Sequence, residues 1–169
     1  MKFKLKNAYI LDSFIPYVDS LKRQLMKSEE FEHVFSFINE DDLIQALKLA
    51  DESKVPYLFL EYYLEDKNLD TVFSKIKTSV RKAKITVIST ITNPSLLNAL
   101  LKFKPDAIVH KADKPHDIIS CVENLKEDKV FYSGIILQIL KRDKKAKNSR
   151  VFTPREKELL SFWARGYTV

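Results

Sequence analysis

Ile85–Lys111 reads ITVISTITNPSLLNALLKFKPDAIVHK, and this stretch decides the fold. It opens on an apolar run, Ile85 to Ile88, and closes on a second, Ala107 to Val109, that leads into His110 and Lys111. Runs this short and this apolar suit strands covered on both faces. Between them, Asn93 followed by Pro94 is an N-cap with proline at the first helical position, so the pattern predicts a helix over Pro94 to Phe103. Two strands joined through a helix form a parallel crossover, which is right-handed in nearly all proteins.

The same grammar extends outward in both directions. Ala8 to Leu11, Val34 to Ile38 and Tyr57 to Leu60 are further candidate strands, rich in Ile, Val, Phe and Tyr. Amphipathic stretches separate them: Pro16 to Lys27, Glu40 to Glu52, Leu69 to Lys82 and, after the last strand, His116 to Leu125. Asn39 with Asp42 supplies the cap of the second. Alternation of five strands with five helices predicts an α/β fold, a doubly wound five-stranded parallel sheet of flavodoxin-like order. Chemistry in such sheets gathers at the carboxyl ends of the strands. That rule selects Asp12 and Ser13, Glu61 and Tyr62, Ser89 and Thr90, and His110 and Lys111.

Composition narrows the class. The chain has 169 residues, 45% hydrophobic and 31% charged, enough for one domain and an appendage. No apolar run approaches the ~18 residues of a membrane span, and no long apolar stretch follows the Lys-rich opening, so neither a membrane segment nor a secretory signal is expected. The single cysteine, Cys121, suits a reducing cytoplasm and reads as a packed apolar residue. Gly134 and Gly166 are the only glycines, so there is no Gly-rich phosphate loop. His33, His110 and His116 lack metal-ligand spacing, and neither a metal nor another cofactor is expected. No nucleophile, base and orienter set is apparent, which argues against an enzyme.

Charge is local. Lys141 to Arg150 (KRDKKAKNSR) holds six basic residues and one acid, so it carries most of the chain's formal +6. It reads either as a tether extended by self-repulsion or as a segment drawn to nucleic-acid phosphates. Before it, Lys129 to Lys141, with Ser133 as a possible cap, predicts an extra helix. After it, Thr153-Pro154-Arg155-Glu156 forms a capping box with a favourable proline. Leu159, Leu160, Trp163 and Ala164 then make one apolar face, and Gly166 a stop.

Two resemblances follow from these residues. Phe152 to Thr168 (FTPREKELLSFWARGYT) resembles the first helix of the LuxR-type helix-turn-helix. Val87-Ile88-Ser89-Thr90, Asn93-Pro94 and Asp106-Ala107-Ile108-Val109-His110-Lys111 resemble the second half of a CheY-like receiver of the NarL/FixJ group of response regulators, especially the Rcs-type capsule regulators. The resemblance implies a receiver-like domain over residues 1–128, the extra helix and basic linker over 129–150, and the start of a DNA-binding domain over 151–169. It also implies roles. A receiver holds Mg²⁺ with an acidic pair, takes the phosphoryl group on an Asp ending the third strand, and uses a hydroxyl and a Lys after the fourth and fifth. Here Ser89 and Lys111 match the switch pair, but Asp12-Ser13 keeps one carboxylate of the acidic pocket, which makes Mg²⁺ binding doubtful. Glu61 takes the phosphoacceptor position, or Tyr62 if the register slips by one.

A Glu there carries its carboxylate one methylene farther out, and ~1 Å of misplacement can cost ~10²-fold in transfer rate. The expectation is an atypical response regulator with a degenerate receiver, not phosphorylated in the ordinary way and used for dimerisation or partner binding. Glu61 then either imitates the phosphorylated charge or is a relic paired with Lys111. Tyr62, Tyr63 and Leu64 are candidates for a partner-contact patch. As a homodimer or a heterodimer with another regulator, the chain would reach DNA only through a recognition helix that its tail, with Thr153, Glu156, Leu159 and Trp163, does not contain. The alternative is a stand-alone receiver-like module that sequesters a full-length regulator.

Overall fold

The computed structural model describes residues 5–51, 53–62, 69–80 and 82–148. Strands β1 (Leu5–Leu11), β2 (Phe31–Phe37), β3 (Tyr57–Glu61), β4 (Lys84–Ser89) and β5 (Ala107–His110) alternate with helices α1 (Ile15–Lys27), α2 (Glu40–Lys48), α3 (Leu69–Ser79), α4 (Pro94–Leu101) and α5 (Pro115–Lys126). A sixth strand, β6 (Phe131–Tyr132), and α6 (Gly134–Asn148) follow. All pairings are parallel, in the order β2-β1-β3-β4-β5-β6.

Two apolar layers sandwich the sheet. Val18, Leu21 and Leu25 of α1 and Ile118, Cys121, Val122 and Leu125 of α5 pack on Ala8, Ile10, Phe59 and Val109. The opposite face meets α2, α3, α4 and α6 through Leu43, Leu47, Val72, Ile76, Leu97, Leu100 and Ile136. Cys121 is fully buried, its thiol 3.7 Å from the Thr86 hydroxyl, and burial pushes it up to about 12. No helix among the described residues is long and apolar enough to cross a membrane.

Local chemistry sets the helix ends. Asn39 accepts from the Asp42 N–H (2.9 Å), and Asn93 accepts from the Ser95 N–H (2.8 Å) ahead of Pro94. At the other ends the glycine-poor chain puts side-chain-bearing residues in the left-handed region: Glu29 after α1, Lys104 after α4 and Asp128 after α5. Helices α2, α3 and α4 stop two to four residues short of the expected bounds, at Lys48, Ser79 and Leu101.

The five-strand expectation is corrected to six. β6 lies where the extra helix was expected to begin, held by the Phe131 N–H on the Asp106 carbonyl and the Ser133 N–H on the Ile108 carbonyl, both 3.0 Å. Two residues carry no readable period; the free edge of β5 recruits them. The basic segment also departs from the extended reading, since α6 runs through Asn148. Lys, Arg and Ala are good helix formers. Asn98 of α4 further donates to Asp143 at 3.0 Å.

Candidate functional site

The sheet order reverses between β1 and β3, and at this switch point their carboxyl ends present Asp12 and Glu61. Asp12 continues the ladder, its N–H donating to the Phe37 carbonyl (3.1 Å), and its Oδ1 accepts from the Phe14 N–H (2.8 Å), turning the chain into α1. Lys111 follows β5, pinned by its N–H on the Ser89 carbonyl (2.9 Å). Its side chain reaches across β4: Nζ lies 2.6 Å from Asp12 Oδ2 and also contacts Glu61 Oε2.

The three charged side chains are nearly covered, with exposures of 12% for Lys111, 4% for Asp12 and 7% for Glu61. Burial works against the Lys111 ammonium, but its hydrogen bonds to Asp12 and Glu61 and their charges outweigh that and hold its pKa above the ordinary lysine value. Two rings close over the cation: Tyr17 at 4.9 Å from Nζ to the ring centroid and Phe14 at 5.9 Å. Burial, then the charges of Asp12, Glu61 and Asp113, raise the Tyr17 phenol well above its usual range. Ser13, Thr90 and Ala112 complete the lining of an open cleft of about 440 Å³. Chemically, the ammonium already faces two carboxylates, so the cluster holds a formal excess of negative charge that disfavours an incoming anion. Among the described residues no three His, Cys, Asp or Glu are placed to hold a metal.

The structure therefore brings Asp12, Ser13, Glu61 and Lys111 together. Ser89 is different: it is buried, its hydroxyl has no partner among the described residues, and Thr90 lines the cleft instead. Strand alternation explains this, because Val87 faces the α2–α4 layer, Ser89 has the same parity, and Thr90 has the opposite one. Tyr62 is half-buried against the core, its N–H on the Ile88 carbonyl (3.3 Å). Tyr63, Leu64, Thr153, Glu156, Leu159 and Trp163 lie outside the described residues.

Comparison with known proteins adds the fold. No protein-family model and no curated protein matches the chain. Among solved structures, the RcsB response regulator of Salmonella typhimurium, studied for conformational dynamism in DNA interaction, superposes with a TM-score of 0.78 at 23% identity, covering 96% of this chain and 80% of that one. The isolated REC domain of RcsB with phosphomimetic BeF3⁻ gives 0.69 at 22% identity, over 82% of this chain and 99% of that one. RcsB bound to a promoter gives 0.72 at 23% identity, over 97% and 79%. At such identities the likeness establishes the fold, a CheY-like receiver sheet.

Sequence reasoning missed a second network beside the cleft. Asp113, two residues after Lys111, accepts from the His110 N–H (3.1 Å) and the Ser133 hydroxyl through Oδ2, and from the Ile135 N–H (3.2 Å) through Oδ1. The loop that carries Lys111 thus caps α6. No local signal marks this, since Asp113 and Ser133 are separated by the whole of α5. Tyr17 and Phe14 were not singled out in the sequence either; their places five and two residues after Asp12 were the available clue.

Proposed function

We propose that this chain is a transcriptional regulator of response-regulator type, not an enzyme, whose receiver-like domain over residues 1–128 is set by an internal ion-pair cluster in place of phosphoryl transfer. The observation that carries this reading is the Asp12–Lys111–Glu61 cluster: the residue closing β3 is a Glu, and it contacts the lysine that a transferred phosphoryl group would need. Ser13 adds no second carboxylate beside Asp12, which weakens any Mg²⁺ site. With its lysine neutralised, the domain serves dimerisation or partner binding. Support for the DNA-related role comes from the RcsB likeness, which includes a promoter-bound form, and from the LuxR-like sequence of Phe152 to Thr168.

The test is incubation of the full chain with Mg²⁺ and acetyl phosphate, and separately with beryllofluoride, read by intact mass and by amide NMR. Unchanged mass and unchanged spectra are expected. A stoichiometric phospho-adduct on Glu61 would overturn the reading.

A further inference from the structure

The two edges of the sheet are unequally protected. β6 offers only two residues, whereas β2 offers seven. Natural edge strands are usually blunted by lysines, prolines, bulges or brevity. β2 (FEHVFSF) has no lysine and no proline, and it keeps one register with β1 from Leu5↔Phe31 to Leu11↔Phe37. Glu32, His33, Phe35 and Ser36 are exposed along it, Phe35 by 41%, and Ile38 just beyond by 64%.

Backbone direction is fixed by the ladder. The Phe37 carbonyl accepts from Asp12, so the odd-numbered residues of β2 face β1, and the N–H and C=O groups of Glu32, Val34 and Ser36 point away from the sheet. These groups suit an antiparallel partner. A two-fold axis through Val34 aligns the whole strand with its own copy: Val34 faces Val34, and Glu32 and Ser36 exchange hydrogen bonds. His33 and Phe35 then face each other at the closer, non-hydrogen-bonded positions. Within one chain these two rings already stack, 5.9 Å apart and inclined by 19°, so pairing extends them into a four-ring array. The same axis sets the two Glu32 side chains four residues apart along the strands, about 13 Å, beyond the ~10 Å screening length at 0.1 M salt.

We infer that β2 is a self-pairing edge: a second copy of this chain docks antiparallel along Phe31–Phe37 and joins two six-stranded sheets into one. This deepens the proposed function by naming the surface of assembly, and it rests on that reading. The test uses the full chain, with sedimentation velocity and concentration-dependent amide exchange. A dimer is expected, with the Val34 and Ser36 amides gaining protection as concentration rises. Ser36→Pro removes an outward donor twice per dimer and leaves the β1 ladder intact, so its Kd should rise at least about tenfold. Phe35→Lys, which blunts the edge by charge, should also yield monomers, and circular dichroism should show both variants folded. A dimer that persists in both variants overturns this surface and leaves receiver-mediated assembly standing. A wild-type chain that stays monomeric, including one that instead captures a foreign strand, overturns the self-pairing and leaves partner binding as the role of the receiver-like domain. Neither outcome touches the acetyl phosphate result.

Discussion

One lysine stands between two carboxylates at each end of the sheet, and the two clusters differ mainly in how much water reaches them. At the carboxyl end Lys111, Asp12 and Glu61 are almost closed off. At the amino end Lys84 meets Asp128 at 2.6 Å and Asp106 at 3.7 Å, with Asp128 84% exposed. Residue types are nearly the same; the energetic consequences are not. A buried charge that loses its partner cannot fall back on solvent, whereas an exposed one loses little. Composition alone does not make a site. The burial of its carboxylates does.

The largest effect should come from Lys111→Met, which leaves Asp12 and Glu61 buried side by side. Denaturant unfolding is expected to show a loss of about 3–5 kcal/mol; a loss below about 1 kcal/mol would erase the contrast between the two ends. Because Lys111 has a raised pKa in the folded protein, its contribution is complete below the unfolded value of about 10.4 and disappears as pH rises through the higher folded one. Unfolding curves above that pH should therefore converge on those of the variant. Next in size, Glu61→Gln keeps the shape and removes one charge, for an expected loss of about 1–3 kcal/mol. A gain in stability would show that Glu61 strains the cluster.

How far these residues were legible follows from the same contrast. Asp12, Glu61 and Lys111 could be picked out because each follows an unbroken apolar run, and a parallel sheet carries the ends of such runs to one side. Phe59 and Val109, fully covered, announce their strands by apolarity alone. Ser89 was read by position after β4, yet strand parity sends its side chain to the core and brings Thr90 to the cleft. Asp113 and Ser133 belong to a contact between distant segments, and β6 owes its existence to its neighbour β5, so neither leaves a periodic trace.

Smaller effects complete the comparison. Lys84→Met should cost less than about 1 kcal/mol at neutral pH, measured by the same unfolding curves; a cost equal to that of Lys111→Met would show that burial is not what separates the ends. Smallest of all, the hydrogen bond and charge of Lys84 hold the Asp128 carboxyl below its ordinary value. Carboxyl NMR titration in 0.5 M salt should move it back toward that value, since exposed pairs are screened. The favourable pairing is present above the ordinary carboxylate range and is lost as pH falls through the depressed folded value.

The cap that Asp113 places on α6 has a mechanical side. α6 is 15 residues long, a rod of roughly 22 Å at 1.5 Å per residue, and its root shares a loop with the buried ammonium. A tilt of about 10° at that root sweeps the far end through roughly 4 Å. The pivot is two residues from Lys111, so sub-ångström adjustments at the cleft sit on the short arm of a lever whose long arm is the basic segment.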